Sequence, residues 1–369
     1  MTDSLHPTWT EIDLEALAAN YRSIQNIIGP DVRVIASVKA DGYGLGAVEM
    51  ARAFQDLGAF ALATGSVSEA LAIQDAGVAL PILLFSTYGP EDVPVILNHD
   101  LIPTVHDLAV ARAARRPTPV YVKVDAGLGR LGVPLEDALG VIEQIATLPK
   151  VVVEGVYTHV AFGDSRGCDW AAERLRDFDK LLAALVDKGL DISVTQARAS
   201  SCLLAGLEDS CNAVCVGHAY YGLSPYSEDG PGDLSQLRPV FKALRTRLIH
   251  VVHHGQGADM TIGGLYGMQS GKTAGVVPLG LSSGFLRPVG SQDMQVLIRG
   301  QRVPVIGVSL EHMTLDLNGV EDARLGDEVT VLGADVGDEI TLNDVAAWQG
   351  RSPLEVLQML AGRSGRRFA

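Results

Sequence analysis

A lysine and three glycines follow an apolar stretch near the start of the chain. The segment VIASVKADGYGLG (34–46) begins like a buried strand and then breaks at Lys39 into a polar run that contains Tyr43. A lysine at a strand end is ordinarily solvated. At the mouth of a barrel, a partly desolvated lysine loses its proton more readily and can form a Schiff base with an aldehyde. Because glycines let the backbone turn tightly beside a ligand, the segment favours a site for such an aldehyde, of which pyridoxal 5′-phosphate is the obvious example.

The elements that must position this lysine form a regular pattern. Between residues 31 and 222, amphipathic stretches alternate with eight short apolar runs: VRVIASV, AFALATG, PILLFS, LIPTVH, PVYVKVD, VVVEGVYTH, ISVTQA and NAVCVG. Eight β-then-α units of this length predict a (β/α)8 TIM barrel; a doubly wound sheet is the alternative, although it more often stops at five or six strands. Ser66 and Glu69 are spaced as a capping box that opens one of the helices. Reactive groups of such barrels lie at the carboxyl ends of the strands, where Lys39 is found.

A second domain follows the barrel. After about Leu237 the chain changes to short β-rich runs separated by Gly, Asp and Pro, with two helical stretches and a basic tail at the end. We therefore expect an α/β barrel domain over residues 1–236 and a C-terminal β-rich domain over 237–369. The first residues of the chain belong either with the barrel or with the β domain.

Composition excludes several classes of function. The 369 residues are 47% hydrophobic and 20% charged, with a net charge of −15. Such an acidic chain has no general field for a phosphate backbone, so no nucleic-acid partner is expected. The four cysteines show no C-x-x-C pair and no metal-type spacing. No run is apolar and long enough to span a membrane, and a cytoplasmic setting is expected.

Several ordered motifs resemble those of one family. VIASVKADGYGLG is similar to the cofactor-lysine signature of the alanine racemases, which are fold-type III pyridoxal-phosphate enzymes. The resemblance continues along nearly the whole chain in the following segments: VKVDAGLGRLGV (122–133), VYTHVAFGD (156–164), VGHAYYGLSP (216–225), VVPLGLSSGFLRP (276–288) and RGQRVPVIGVSLEHM (299–313). It implies a barrel followed by a β domain, in a head-to-tail homodimer with shared active sites.

The resemblance also implies roles for residues around the cofactor. Lys39 would carry pyridoxal phosphate as a Schiff base and act as the proton base on one face. Tyr43 would bind the phosphate, and His159 would lie beside the pyridine ring. Gly217 and His218 would offer backbone N–H groups to the phosphate; the His218 side chain is equally well explained as a satisfied core histidine.

Two further residues are implied in substrate binding. Arg130 matches an arginine that places the substrate carboxylate, and Lys123 matches a lysine that supports this arginine, often as a carbamate. The substrate would be an amino acid, and the sequence does not identify which one.

The chain departs from the family where the second proton base is expected. The tyrosine that the partner chain should supply is replaced by Ile262, which cannot carry a proton. Tyr266, four residues on, and then His312 are the candidate replacements. Leu310 stands at the active-site mouth, where the family has a methionine, so that Ile262 and Leu310 make the substrate pocket more apolar.

A second group of departures surrounds the cofactor. Cys215 occupies the position of an arginine that faces the pyridine nitrogen. It is either a neutral buried thiol or a thiolate paired with His159, since a cationic neighbour depresses a thiol pKa. Ser200 and Ser201 are candidate phosphate hydroxyls, and no metal site is expected.

Three functions remain open on these residues. The first is an amino-acid racemase of the alanine racemase family with an altered second base. The second is a pyridoxal-phosphate lyase, aldolase or decarboxylase, which needs a base on only one face. The third is a pyridoxal-phosphate-binding protein with little activity.

Overall fold

The structure is a computed structural model. It describes residues 7–85, 88–89, 91–114, 116–227, 230–255, 260–262, 266–268, 272–289 and 293–369. The chain divides into two compact units. One is Ala16–Arg238, and the other combines the described N-terminal residues up to Glu15 with Pro239–Ala369. The first described residues therefore lie with the C-terminal part of the chain.

Strands and helices alternate through the first two thirds of the chain, and strands predominate after them. In chain order, the strands are β1 (Trp9–Ile12), β2 (Arg33–Ser37), β3 (Ala61–Thr64), β4 (Ile82–Leu84), β5 (Ile102–Val105), β6 (Thr118–Asp125), β7 (Val133–Pro134), β8 (Val151–Val160), β9 (Val194–Arg198), β10 (Ala213–Val216), β11 (Phe241–Arg247), β12 (His250–His253), β13 (Met260–Ile262), β14 (Tyr266–Met268), β15 (Thr273–Val277), β16 (Gln295–Ile298), β17 (Gln301–Val308), β18 (Met313–Asp316), β19 (Glu328–Asp335), β20 (Asp338–Ile340) and β21 (Gly365–Phe368). The helices are α1 (Leu14–Ile28), α2 (Lys39–Tyr43), α3 (Ala47–Asp56), α4 (Val67–Asp75), α5 (Val93–Asn98), α6 (Leu108–Arg112), α7 (Leu135–Ala146), α8 (Gly167–Asp187), α9 (Ser200–Leu204), α10 (Leu342–Gln349) and α11 (Pro353–Leu360).

A closed barrel of eight parallel strands forms the Ala16–Arg238 unit. Its strand order is β5-β4-β3-β2-β10-β9-β8-β6, and β5 pairs with β6 to close the sheet. Each of the eight predicted apolar runs overlaps one of these strands, which confirms the (β/α)8 barrel and excludes the doubly wound sheet. The runs are mostly apolar because helices cover the outer face while side chains fill the interior, as Ile35, Leu83, Tyr121 and Ala213 do.

The other unit is β-rich, as predicted. Its main sheet has the order β12-β15-β18-β17-β16-β19-β11-β1-β21, with β20 paired to β19, and β13 and β14 form a separate two-stranded ribbon. The basic tail forms β21, which pairs in parallel with β1. Since Trp9 in β1 also pairs with Arg245 in β11, the N-terminal strand is held between two strands from the C-terminal part.

Helix ends follow the capping signals only in part. Ser66 caps α4, because its Oγ accepts a hydrogen bond from the Glu69 N–H at 3.3 Å. The predicted capping box is wrong in its second half, since the Glu69 carboxylate accepts hydrogen bonds from the Asp41 N–H and the Thr64 hydroxyl instead. Within the described parts of the chain, no helix is both long and apolar enough to cross a membrane.

Candidate active site at the barrel mouth

A cavity of about 340 Å³ opens at the carboxyl ends of the barrel strands. Residues that follow or end seven of the eight strands line it: Lys39 after β2, Gly65 after β3, Phe85 after β4, Arg130 after β6, His159 in β8, Ser200 after β9 and Gly217 after β10. The barrel topology thus brings together residues that are far apart in sequence. No aspartate or glutamate occurs among the described residues that line this cavity.

Lys39 stands at the start of an unusual turn. Ala40, Asp41 and Gly42 have φ values of 56°, 56° and 61°, and Tyr43 follows at 58°, so one turn of the chain is left-handed. Left-handed helical backbone costs about 1–2 kcal/mol for each residue that carries a Cβ. The turn reverses the chain after β2 and places both the Lys39 ammonium group and the Tyr43 ring on the cavity wall.

Two carboxylates hold this left-handed turn in place. The Asp41 N–H donates to Glu69 Oε1 at 2.5 Å, and the Ala47 N–H donates to Asp41 Oδ1 at 3.0 Å. Glu69 also accepts a hydrogen bond from Thr64 at the end of β3. The strained turn is therefore held both by its own Asp41 and by Glu69 of the neighbouring βα unit.

The environment of Lys39 shifts its protonation equilibrium towards the neutral amine. Its Nζ lies 5.8 Å from the ring centre of Phe85 and 5.9 Å from that of Tyr43. Burial lowers the pKa of Lys39, and the positive charge of Arg130 lowers it further, against an opposing effect of Cys215. A larger fraction of this lysine is thus available as a nucleophile or base than of an exposed lysine.

A second wall of the cavity has the geometry of an anion cradle. Tyr43 is only 4% exposed, and its hydroxyl lies so close to Gly217 that a Cβ there would fall 2.0 Å from Oη. The Ser200 Oγ lies next to the same loop, where it accepts a hydrogen bond from the Ala219 N–H at 3.3 Å. Together with the unobstructed backbone at Gly217, these hydroxyls fit a phosphate ester, and Lys39 in the same cavity fits an aldehyde.

Ser201 and His218 also line the cavity, in different ways. The Ser201 Oγ is already engaged, since it accepts a hydrogen bond from the Phe162 N–H at 3.1 Å. The His218 ring packs edge-on against Tyr43 with 5.6 Å between ring centres. Burial lowers the pKa of His218 to about 4, and the charge of Lys39 acts in the same direction, so its imidazole is neutral at pH 7.

Arg130 and Lys123 supply positive charge on the β6 side of the cavity. Arg130 ends a loop in which Asp125 accepts hydrogen bonds from the backbone N–H groups of residues 127–130, and its side chain is exposed. Lys123 is 6% exposed, with its Nζ 5.6 Å from the Tyr157 ring centre. Burial and then the charge of Arg130 lower the pKa of Lys123 to about 8.

His159 and Cys215 lie in the same cavity as neutral groups. Burial, followed by the charges of Lys39 and Arg130, lowers the pKa of His159 to about 3. Burial raises the pKa of the Cys215 thiol to about 11, although Lys39 and Lys123 oppose this shift. Of the two possibilities for Cys215, this environment favours the neutral thiol, because the imidazole carries no charge that would stabilise a thiolate.

Four predicted site residues belong to the β-rich unit. The side chains of Ile262 and Tyr266 lie outside the described parts of the structure. Their backbones pair directly across the β13–β14 ribbon. Leu310 and His312 lie in an exposed turn in which the His312 N–H donates to the Ser309 Oγ at 3.2 Å, and Leu310 is 67% exposed.

Other contributors to the cavity carry no sequence signal of their own. Phe85 covers Lys39 from the end of β4, a position that the strand-end rule for Lys39 would also have selected. Tyr157 closes the floor, and its hydroxyl is hydrogen-bonded to Thr104 at 2.8 Å. Glu69 could not be found from its sequence neighbourhood, because its partner Asp41 lies 28 residues earlier in the chain.

Comparisons with known proteins agree with this geometry. The family model of the alanine racemase N-terminal domain matches residues 12–225, and that of the alanine racemase C-terminal domain matches residues 241–368. The chain belongs to the alanine racemase family. It is 31% identical to alanine racemase from Methanococcus maripaludis and 32% identical to that from Desulforamulus reducens, with 97% of each chain covered in both cases.

Solved structures of alanine racemases have the same fold. That from Clostridium difficile 630 gives a TM-score of 0.90 at 26% identity and covers 100% of this chain and 97% of its own. That from Streptomyces coelicolor A3(2) gives 0.85 at 30% identity over the full length of both chains. This alanine racemase family member therefore keeps the family fold from end to end.

This family member shows no metal centre in the described residues, where no group of three or more His, Cys, Asp or Glu side chains could hold an ion. All four cysteines are free thiols.

Proposed function

We propose that this chain is a pyridoxal-phosphate-dependent amino-acid racemase. The observation that carries the proposal is the placement of Lys39 in one cavity with the Tyr43–Gly217 cradle. A lysine with a lowered pKa can hold the aldehyde carbon of the cofactor, and the cradle can hold its phosphate. When bound, pyridoxal phosphate supplies an electron sink that acidifies the Cα–H bond of an attached amino acid.

The barrel residues then have distinct tasks. As a neutral amine, Lys39 can accept the Cα proton on one face, and as an ammonium it can donate a proton to the same face in the reverse direction. Arg130 is exposed at the mouth and free to bind the carboxylate of an entering amino acid. His159, held neutral by its surroundings, would contact the bound cofactor without adding charge, and the Cys215 thiol in the same cavity would likewise contribute no full charge.

Racemisation requires a second proton donor on the opposite face. We assign it to the β-rich unit of a second copy of the chain, with Tyr266 as the first candidate. In the β13–β14 ribbon, Ile262 and Tyr266 are direct cross-strand partners, and such partners occupy the same face of a ribbon. Positions 266 and 262 are therefore directly opposite each other in the backbone register of the ribbon. His312, in an exposed turn, is the second candidate.

Chemistry on one face alone is the competing function. Ile262 carries no acid–base group, and a lyase, aldolase or decarboxylase would need none there. Membership of the alanine racemase family over the whole chain favours the racemase. The exposed Leu310, together with isoleucine at position 262, supports a substrate side chain that is apolar and no smaller than that of alanine.

The proposal includes a head-to-tail homodimer, because the second donor must come from another chain. Four free thiols support a reducing, cytoplasmic location.

Solvent exchange tests the proposed function. The purified protein with added pyridoxal phosphate is incubated with L-alanine or D-alanine in heavy water, and loss of the Cα–H signal is followed by NMR while chiral chromatography follows the enantiomers. A racemase labels both enantiomers and interconverts them. Label in one enantiomer only, or a new product, would identify one-face chemistry, and no label with any of a panel of apolar amino acids would refute both.

The covalent link is tested in parallel. Borohydride reduction should fix the cofactor to the peptide that contains Lys39, and Lys39→Ala should abolish this label. Lys150, an exposed barrel lysine, provides a matched control, since Lys150→Ala should leave the label unchanged.

A further inference from the structure

His218 is a titratable side chain that the proposed reaction does not use. It begins the short 3-10 turn His218–Tyr221, directly after Gly217, and its ring lines the same cavity as Lys39. Backbone contacts alone would be satisfied by any residue at this position. The ring instead packs edge-on against Tyr43, the residue whose hydroxyl forms the anion cradle. The imidazole therefore contacts the ring whose hydroxyl group would bind the phosphate.

The described side chains that line the cavity around the His218 ring are either cationic or neutral. Lys39 and Tyr43 face the cavity from the turn after β2, His159 from β8 and Cys215 from β10, with Lys123 and Arg130 contributed by β6. None of the described lining residues is a carboxylate. A protonated His218 consequently has no counter-ion among the described residues that line the cavity, and its pKa is lowered to about 4 by burial and by Lys39.

A phosphate dianion would reverse this balance. It would bring two negative charges into a cavity that holds only cations and neutral groups, and an anion within about 4–6 Å favours the charged form of an imidazole. A charge-assisted hydrogen bond from imidazolium to phosphate is about twice as strong as a neutral one. Protonation of this ring and binding of the anion should therefore stabilise each other.

We propose that the imidazole of His218 is a side-chain ligand of the cofactor's phosphate, and that it takes up a proton when the phosphate dianion binds. This inference rests on the proposed use of pyridoxal phosphate and adds to it a binding residue and a linked proton. It has a consequence for the affinity: if the pKa of His218 in the complex reaches about 7, binding should weaken by about tenfold between pH 6 and pH 8.

The test uses 4′-deoxypyridoxine 5′-phosphate, which carries the ring and the phosphate but no aldehyde, so that reaction with Lys39 does not contribute. Calorimetric titrations of the whole protein in buffers of different ionisation enthalpy count the protons taken up from pH 6 to pH 8. We expect the wild-type protein to take up at least half a proton more than His218→Gln at pH 6.5. Between pH 6 and pH 8, the affinity of the wild-type protein should fall by about tenfold more than that of the variant. The comparison with the variant removes the contribution of the phosphate ester, which titrates in both complexes.

Matched variants separate His218 from the other titratable groups. His99→Gln changes an exposed histidine of the same barrel and should behave as wild type. His159→Gln removes the other cavity histidine and should keep the proton uptake. If His218→Gln does not fold, His218→Leu, which keeps an apolar packing surface against Tyr43, takes its place.

A direct measurement does not depend on a stable variant. With 15N-labelled histidine, the His218 ring nitrogens should report a neutral ring in the free protein and a protonated ring in the complex at pH 6.5. A ring that stays neutral in the complex, with equal proton uptake by wild type and variant, would overturn the inference. Failure of the probe to bind wild-type protein at all would instead overturn the proposed cofactor.

Discussion

The contact between Gly217 and Tyr43 predicts a sharp effect of one added methyl group. In Gly217→Ala, the new Cβ would lie 2.0 Å from Tyr43 Oη and 2.9 Å from Cζ. The backbone at this position has a φ of −127°, so the conflict comes from the side chain of Tyr43 and not from the conformation of residue 217. Tyr43 must move away from the cradle if alanine is to fit.

The surroundings of Tyr43 set the size of the effect. Its ring lies between Tyr221, at 4.5 Å between ring centres, and His218, at 5.6 Å, so it cannot move aside without displacing one of these rings or entering the cavity that the cofactor would fill. Overpacking of this kind costs about 1–3 kcal/mol. If this cost appears in cofactor binding, the affinity for pyridoxal phosphate should fall by roughly 5- to 150-fold.

The assay combines a fluorescence titration with pyridoxal phosphate and thermal unfolding of the unliganded protein. Gly140→Ala is the matched control: it lies in α7 with no neighbouring atom within 4 Å, and alanine in a helix should raise the stability by about 0.5–1 kcal/mol. Tyr43→Phe, combined with Gly217→Ala, removes the closest atom and should recover part of the lost thermal stability. Wild-type affinity together with a wild-type melting temperature in Gly217→Ala would refute the cradle geometry.

Three further predictions concern the second base, a buried ion pair and acid stability. Tyr266→Phe should lower racemisation by about 10²- to 10⁴-fold and Ile262→Tyr should restore it in that background, as measured by chiral chromatography; unchanged turnover in Tyr266→Phe would transfer the role to another group. Asp209→Asn should destabilise the protein by about 3–5 kcal/mol in urea unfolding, because the fully buried carboxylate pairs with Arg198 at 3.0 Å; a loss below 1 kcal/mol would contradict a desolvated pair. The unfolded chain binds a proton at His159 below about pH 6.5, whereas the folded chain binds it only near pH 3. The free energy of unfolding should therefore decrease by roughly 1.4 kcal/mol for each unit by which the pH is lowered in that window, and His159→Gln should flatten this slope. An unchanged slope in the variant would mean that the histidine is solvated.

The barrel could be predicted from the sequence because parallel strands buried on both sides leave a plain signal. All eight apolar runs overlap a barrel strand, and the position of Lys39 after the first of them located the cavity. In contrast, the tail that forms β21 is basic rather than apolar. It is the edge strand of its sheet, and an edge strand does not need to be apolar on both faces. Its partner β1 lies at the other end of the chain, and local patterns carry no information about such a pairing.

The same limit applies to the groups that support the site. The spacing of Ser66 and Glu69 indicates a capping box, yet the Glu69 carboxylate accepts its hydrogen bonds from Asp41 and Thr64. Resemblance to a family identified Tyr43 and His218 as cofactor neighbours. It could not show that the two rings touch, because that contact depends on how the loops after β2 and β10 meet in space.

The left-handed turn at residues 40–43 has a consequence for biosynthesis. A nascent chain cannot hold four successive residues in this conformation by itself, because one of the two carboxylates that hold it, Glu69, is made 28 residues later and the opposite wall at Gly217 only with the last barrel strand. Lys39 is therefore among the first residues translated and among the last to reach its final geometry. A chain truncated before β10 would lack the Gly217 wall of the cradle, so tight retention of the cofactor becomes a signal that the whole barrel has been synthesised and closed.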